Sequence, residues 1–254
     1  MLVSRDHAVA RIRLPFVTGS GVKRMLGPTW ESPDEVHVWH VPISSSVSLD
    51  DGLEVLGDDE RARATRFRYD ADRSDYVQRR AFLRGVLASY IGGSPARVRL
   101  VTTRQGRPVL DGPRTPSFSL SHTSGLAVVA VTPARAVGVD VERVRPVSDA
   151  LDLARRTFTP READWLGSAR RTRLDELFLT LWTRKESYVK ALGTGLSTPL
   201  RGFEVWQSDG YGNGRPQGPS GVLPFSFATL EPLEGHVATV TAAGRRLTVR
   251  TMAP

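Results

Sequence analysis

LFLTLWTRKESYVKALGTGL, residues 177–196, reads as one amphipathic helix. Its apolar residues recur at spacings of three and four, as one face of an α-helix requires; they are Leu177, Phe178, Leu181, Trp182, Tyr188, Val189 and Leu192. Gly193 and Gly195 follow the last of them, which is typical of a helix C-terminus. Because Glu186 and Lys190 are four residues apart, we expect a carboxylate and an ammonium group on one face of this helix.

A second stretch, VGVDVE at residues 137–142, alternates apolar and polar residues and predicts a strand. Successive side chains of a strand point to opposite faces, so the carboxylates of Asp140 and Glu142 leave the same side. If that side meets the helix that carries Glu186, three acids and Lys190 surround one small volume.

Clustered carboxylates repel each other, by about 2.4 kcal/mol for two charges roughly 7 Å apart at an effective dielectric constant near 20. Such a cluster needs water or a cation, and an all-oxygen ligand set favours Mg²⁺ first and Mn²⁺ next. The alternative is two unrelated features, namely acids on a solvated strand face and a Glu186–Lys190 ion pair on the helix. Spacing alone leaves both interpretations open.

Composition limits the classes of protein that remain. The 254 residues contain no cysteine, which excludes disulfides, thiolate metal sites and a cysteine nucleophile and is compatible with a reducing cytoplasm. Charges interrupt the N-terminus too often for a signal peptide, and no run approaches the roughly 20 apolar residues of a membrane span. We therefore expect a cytoplasmic protein without a membrane partner. The net charge of +8 favours an anionic partner.

The order of sequence features repeats, which predicts an α+β fold of two similar subdomains. ARATRF…FLRGVLASYIGG and PSFSLSHTSGLAVVAV in the first half match ARRTF…LWTRKESYVKALG and PFSFATLEPLEGHVATVT in the second. We expect a poorly ordered leader at 1–35, an N-terminal half at 36–133 and a C-terminal half at 134–254 that carries the acids. Each half is predicted to pack a small antiparallel sheet on a long helix, with a pseudo-twofold axis between the halves. Residues 207–221 predict a polar, glycine-rich loop.

Two further residues have candidate roles. His122, in SLSHTSG, lies before a turn whose backbone amides could face a phosphate. A hydrolase built on Ser121 and His122 is excluded, because neighbours on a strand point in opposite directions and there is no GxSxG motif. No Walker A or dinucleotide fingerprint occurs either. Glu162 follows Thr159 by three residues and predicts a capping box at a helix start.

Taken together, VGVDVE, FTPREADWL and LWTRKESYVKALGTGL, with LSHTSG before them, resemble the 4′-phosphopantetheinyl transferases, in particular the larger, two-half Sfp-like type. The resemblance covers residues 36–206. It implies transfer of the phosphopantetheine arm of coenzyme A to a serine of an acyl or peptidyl carrier protein, with release of 3′,5′-ADP. It also implies coenzyme A and an acidic carrier as partners, no nucleic acid, and a monomer that acts as a pseudo-dimer.

The resemblance assigns roles position by position. It implies Mg²⁺ ligands at Asp140, Glu142 and Glu186, and contacts to coenzyme A phosphates from Lys190 and His122. Further coenzyme A contacts are implied at Arg63, at the backbone of Ser121, and at Arg107, where the family commonly has lysine. Glu162 matches a family acid and is a candidate second base beside its capping role.

The expected mechanism combines these groups. Glu186, or a water that it orients, is predicted to take the proton of the carrier serine, while Lys190 offsets charge on the leaving group. A basic segment is predicted to contact the carrier; it contains Arg155, Arg156, Arg161, Arg170, Arg171 and Arg173, beside Phe158, Trp165 and Leu166. A Mg²⁺-dependent nuclease or phosphodiesterase and a non-catalytic basic binding module are the alternatives from other classes.

Overall fold

The computed structural model describes residues 28–43, 49–206, 213–219 and 221–252. Its contacts form two compact units, one within residues 43–98 and one made of residues 28–42 and 99–252. Residues 1–27 of the predicted leader, and residues 207–212 and 220 of the predicted loop, lie outside the described residues.

The first unit is helical, and its helices are α1 (Leu49–Glu54), α2 (Asp58–Ala64) and α3 (Asp70–Ile91). Helix is therefore present in the region predicted at 58–91, but residues 65–69 interrupt it. The buried carboxylate of Glu60 on α2 accepts hydrogen bonds from the guanidinium groups of Arg80 and Arg84 on α3. Because an unpaired buried charge is costly, this triad holds the two helices together.

The second unit contains the strands. Six precede its helices: β1 (Glu35–Pro42), β2 (Leu100–Thr102), β3 (Pro108–Leu110), β4 (Ser117–Thr123), β5 (Leu126–Thr132) and β6 (Val137–Arg143). The helices are α4 (Ala150–Thr157), α5 (Pro160–Gly167) and α6 (Leu174–Leu192). Six strands follow: β7 (Asn213–Gly214), β8 (Gln217–Gly218), β9 (Gly221–Val222), β10 (Phe225–Leu230), β11 (His236–Ala243) and β12 (Thr248–Met252). Among the described residues, no helix has both the length and the apolar character of a membrane span.

Two four-stranded sheets organise this unit. Sheet I has the order β12-β1-β5-β4 and sheet II the order β6-β11-β10-β7. All neighbours are antiparallel except β1 and β12. The order β1-β5-β4 in the first half recurs as β6-β11-β10 in the second, so the α+β fold with small antiparallel sheets is confirmed. The pseudo-twofold axis and the exact boundaries of the halves stay predictions. Contacts divide the chain differently, because β1 pairs with β12 and because β4 and β5 contact β6, so that strands of the two predicted halves share one unit.

The two faces of sheet II pack against different elements. Val137, Val139 and Val141 of β6 are buried in an apolar core that sheets I and II share. The other face meets α6, whose apolar side chains form a second core around Phe158 and Phe178. The alternation in VGVDVE therefore turns the valines towards sheet I and the acids towards α6, as predicted.

Hydroxyl groups join the two sheets where β4 lies along β6. Ser119 Oγ accepts the N–H of Val139 at 3.1 Å, and Thr123 Oγ1 accepts the N–H of Arg143 at 3.3 Å. These bonds satisfy backbone donors at the β6 edge of sheet II and fix β4 next to the acids of β6.

Part of the predicted leader packs on sheet I. The ring of Trp30 stacks on that of buried His37 with centroids 5.5 Å apart, and Glu31 forms an ion pair with Arg250 on β12 at 3.3 Å. Residues 28–35 of the predicted leader therefore have partners on β1 and β12, which glycine and proline content does not reveal.

Candidate active site

Asp140 is the centre of the candidate site. It is only 6% exposed, and its Oδ1 accepts hydrogen bonds from Lys190 Nζ at 2.6 Å and from Ser121 Oγ at 2.8 Å. Its Oδ2 is buried and has no hydrogen-bond partner. One half of this carboxylate is thus saturated, and the other half is available to a ligand.

The two remaining acids lie within electrostatic reach of Asp140. Burial first, and the charge of Asp140 second, raise the pKa of both Glu142 and Glu186, while Lys190 lowers both pKa values. Strand β6 and helix α6 therefore bring together the four groups that the sequence placed around one volume. The interpretation as two unrelated surface features does not describe this arrangement.

The donor set fits a hard cation by its chemistry. All three side chains offer carboxylate oxygen, and Asp140 Oδ2 lacks a partner. Burial, and after it the charge of Asp140, raises the pKa of Glu142 and of Glu186. Within the described ranges, however, no three metal-binding side chains are already arranged as a coordination shell. The ammonium of Lys190 neutralises Asp140 in this conformation.

Lys190 is held by three acceptors. Besides Asp140, its Nζ donates to Ser121 Oγ at 3.0 Å and to the carbonyl of Val139 at 3.2 Å. About 32% of its side chain is exposed. A cavity of about 270 Å³ opens beside it, between α6, β4 and the turn at Gly106. Lys190 therefore both bonds Asp140 and lines this cavity.

Ser121 enters the site through its side chain. The expectation concerned its backbone, but the hydroxyl is what donates to Asp140 and accepts from Lys190. His122, one residue on, is exposed. The register of β4 turns the two side chains apart, as predicted, so they do not form a nucleophile–base pair.

Glu162 is not among these groups. It is fully buried at the start of α5, where its Oε2 accepts the N–H of Thr159 at 3.0 Å in the predicted capping box. The same oxygen pairs with Lys185 Nζ at 2.7 Å, and Oε1 accepts the N–H of Val205 at 2.8 Å. A carboxylate occupied in this way has a structural role, and we do not assign it as a base.

Lys185 is a residue that sequence reasoning missed. It is fully buried next to Glu186, and its Nζ also donates to the carbonyls of Leu200 at 2.7 Å and Phe203 at 2.6 Å. Burial lowers the pKa of Lys185, although Glu162 opposes this shift. The sequence could have indicated that Lys185 is buried, because it lies one helical turn after Leu181 and therefore on the apolar side of the helix.

Replacing Lys185 with methionine is expected to destabilise the fold by about 3–5 kcal/mol, because Glu162 then remains charged and buried without its partner. Urea unfolding measures the change in free energy. Arg201→Met removes an exposed cation from the loop that contains Leu200, and it should cost less than about 0.5 kcal/mol. Equal stability of the two variants would contradict the structural role of the buried pair.

Arg107 and Arg63 lie in different units. The guanidinium of Arg107 donates hydrogen bonds to three backbone carbonyls in the strand unit. The family resemblance implied a contact to coenzyme A at this position and did not suggest these bonds. Arg63 belongs to the helical unit, where it lies over the ring of Tyr76 at 5.4 Å and lines an open pocket with Arg66 and Phe67. Its predicted contact to coenzyme A stays a prediction.

The predicted carrier-binding segment forms an exposed basic surface. All six of its arginines are exposed, whereas Phe158 and Leu166 are buried and only Trp165 is partly accessible. Its apolar component is therefore smaller than expected. Trp206, under the guanidinium of Arg161 at 4.7 Å, adds a second partly accessible indole.

Two protein-family models match this chain. Residues 136–241 match the 4′-phosphopantetheinyl transferase superfamily, and residues 42–134 match the 4′-phosphopantetheinyl transferase N-terminal family. The two matches meet beside the boundary predicted between residues 133 and 134.

Three curated proteins are similar over most of their length. The 4′-phosphopantetheinyl transferase HetI of Nostoc sp. is 39% identical over 218 residues, which are 83% of this chain and 89% of HetI. A 4′-phosphopantetheinyl transferase of Bacillus subtilis is 28% identical over 75% of this chain and 84% of its own. The 4′-phosphopantetheinyl transferase Sfp of Bacillus subtilis is 28% identical over a match that covers 60% of this chain and 67% of Sfp. With both family matches and the identity to HetI, the chain belongs to the 4′-phosphopantetheinyl transferase superfamily and is a transferase enzyme.

Proposed function

We propose that this enzyme transfers the 4′-phosphopantetheine arm of coenzyme A to a serine of an acyl or peptidyl carrier protein, depends on Mg²⁺, and releases 3′,5′-ADP. The observation that carries the proposal is the bond between Asp140 on β6 and Lys190 on α6, with Glu142 and Glu186 near enough for the charge of Asp140 to raise their pKa values. The resemblance to the transferase family assigns these four residues to one site, and a cavity opens beside Lys190.

In this proposal the three carboxylates hold Mg²⁺ (or Mn²⁺), with Asp140 contributing the oxygen that lacks a partner. When bound, the cation supplies positive charge that offsets the negative charge of the pyrophosphate and of the leaving group. Lys190 Nζ bonds the other oxygen of Asp140, Oδ1, and with a cation bound to Asp140 it would be free to donate to a phosphate group instead.

The remaining steps belong to side chains of the chain itself. The serine oxygen of the carrier forms a bond to the phosphorus that bears the pantetheine arm, and the bond from that phosphorus to 3′,5′-ADP breaks. Glu186, or a water that it orients, accepts the serine proton. Lys190 donates to the leaving phosphate, with His122 and Ser121 nearby on β4. Arg63 is proposed as a further phosphate contact. Arg107 is left out of this set, since its donors already serve the backbone.

Mass spectrometry of an apo carrier protein tests the proposal. After incubation with the enzyme, coenzyme A and Mg²⁺, the carrier should gain about 340 Da on one serine, and 3′,5′-ADP should appear in equal amount. Reactions without Mg²⁺, or with the carrier serine changed to alanine, should show no gain. Consumption of DNA or RNA instead of coenzyme A would favour the phosphodiesterase alternative.

The exposed basic surface is proposed as the contact for an acidic carrier of fatty-acid, polyketide or peptide synthesis. Arg155 and Arg161 are paired with Asp152 and Glu204. By contrast, Arg156, Arg170 and Arg171 form no ion pair with any described residue. These three arginines therefore leave net positive charge for a partner, and long-range attraction should speed the encounter.

We expect kcat/KM for the carrier to fall at least about tenfold between 20 and 300 mM NaCl, because salt screens this attraction. Changing Arg156, Arg170 and Arg171 to glutamine should lower kcat/KM, flatten the salt dependence and leave kcat unchanged. The same substitutions at exposed Arg99, Arg245 and Arg246 make an equal change in net charge and serve as the control. A salt dependence identical in both triple variants would contradict the assignment of the surface.

We further propose that the enzyme is a cytoplasmic monomer. Two family-type halves in one chain supply internally an interface that a single half would need from a second copy. The absence of cysteine is compatible with a reducing compartment. Light scattering after size-exclusion chromatography should give a mass near 27.9 kDa, and a concentration-dependent multiple of it would contradict the monomer.

A further inference from the structure

The guanidinium of Arg107 connects the three elements that carry the site. Its Nη1 donates to the carbonyl of Lys190 on α6 at 2.9 Å. Its Nη2 donates to the carbonyls of Phe118 on β4 and Val137 on β6, both at 2.8 Å. We propose that Arg107 is a positioning residue that fixes α6, β4 and β6 relative to one another, rather than a contact to coenzyme A.

Each of these carbonyls lies at the end or the edge of its element. The carbonyls in the last turn of a helix have no intrahelical donor, and the carbonyl of Lys190 lies in the last turn of α6. Strand β4 is the edge of sheet I and β6 is the edge of sheet II. Arg107 gives a donor to the carbonyls of Phe118 and Val137 on these edge strands. At Lys190 its bond adds to the one that the same carbonyl accepts from the N–H of Gly193 at 3.2 Å.

The three elements are those that carry the predicted catalytic and binding groups. Strand β4 presents Ser121, β6 presents Asp140, and α6 presents Glu186 and Lys190. Because Lys190 itself is one of the bonded residues, loss of the Arg107 bonds is expected to shift its ammonium relative to Asp140.

The chemistry of the side chain agrees with this role. A guanidinium is a planar fork whose two terminal nitrogens can bond acceptors in different directions, which an ammonium does less well. Three of its five N–H donors are engaged with the backbone. Arg107 is half-buried, and burial lowers its pKa. This inference rests on the proposed function for its catalytic consequence, but its structural part is independent of it.

Hydrogen exchange tests the structural part without any substrate. Arg107→Met should speed amide exchange at least about tenfold in the end of α6, in the first residues of β6 and in the first residues of β4. Exchange in β10 should be unchanged. Arg104→Met, at an exposed arginine of the same turn, is the matched control and should alter none of these segments. A uniform acceleration across the protein, or an effect in only one of the three elements, would overturn the proposal.

A double-mutant cycle in the transfer reaction tests the catalytic part. Arg107→Met should lower kcat/KM by about tenfold or more in the otherwise native enzyme, because small displacements of catalytic groups are costly. In a Lys190→Met background the same change should cost at least about threefold less than in the native enzyme, since one of the groups that Arg107 positions is already gone. Independent, multiplicative effects would instead indicate a separate contact to coenzyme A and would overturn the positioning role. If the native enzyme transferred nothing, the proposed function would fail, while the exchange data would still decide the structural claim.

Discussion

Asp140→Asn is expected to lower the rate of phosphopantetheine transfer by at least about a thousandfold. Asparagine keeps the shape of the side chain but removes its charge, and it places an amide where the structure has a buried carboxylate oxygen without a partner. The variant therefore loses the oxygen that is best placed for a cation. It also loses the charge that attracts Lys190.

The rate is measured by carrier mass over a series of Mg²⁺ concentrations. Asp164→Asn is the matched control, because Asp164 is exposed on α5, and it should retain full activity. Thermal unfolding of both variants shows whether the fold is intact. A folded Asp140→Asn enzyme with native activity would refute the assignment of this residue as a metal ligand.

Gly138→Ala is expected to disrupt the contact between β6 and α6. A Cβ atom at this position would lie 2.0 Å from the carbonyl oxygen of Ser187, 2.4 Å from the nitrogen of Ala191 and 2.9 Å from Cβ of Lys190. Two of these atoms belong to the helix backbone, which cannot rotate away as a side chain can. The helix must therefore move as a whole, and Glu186 and Lys190 move with it.

We expect a loss of about 3 kcal/mol or more in the free energy of unfolding and a fall of about a hundredfold in transfer rate. Urea unfolding and the carrier assay measure the two effects. Gly167→Ala is the control, since no atom lies within 4 Å of the added Cβ, and it should change neither quantity appreciably. Native stability and activity of Gly138→Ala would show that the close approach of helix and strand is not required.

The features that the sequence predicted well depend on local periodicity. Alternating valines placed the acids of β6 on one face, and helical spacing placed Glu186 beside Lys190 on α6. The helix begins at Leu174, three residues before the predicted stretch, and it ends at Leu192, where Gly193 adopts the left-handed conformation with φ of 71°. The capping box of Thr159 and Glu162 was also predictable, because both partners lie within one turn.

The features that escaped prediction are bonds between residues far apart in the chain. Arg107 and the carbonyl of Lys190 are separated by 83 positions, and Lys185 meets Glu162 across two helices. Side-chain type indicates that arginine binds acceptors, but it does not identify those acceptors. The family commonly has lysine at the position of Arg107, and the resemblance therefore suggested that this side chain binds a phosphate of coenzyme A. In the structure its acceptors are three backbone carbonyls.

The most direct test of the proposed site is a crystal structure of the enzyme with coenzyme A and Mn²⁺, with the metal located by its anomalous scattering. The account predicts one metal peak within bonding distance of oxygens of Asp140, Glu142 and Glu186 and of the pyrophosphate, with Lys190 moved from Asp140 to a phosphate oxygen. A metal bound elsewhere, or coenzyme A bound while Lys190 stays on Asp140 and the three carboxylates remain apart, would contradict it.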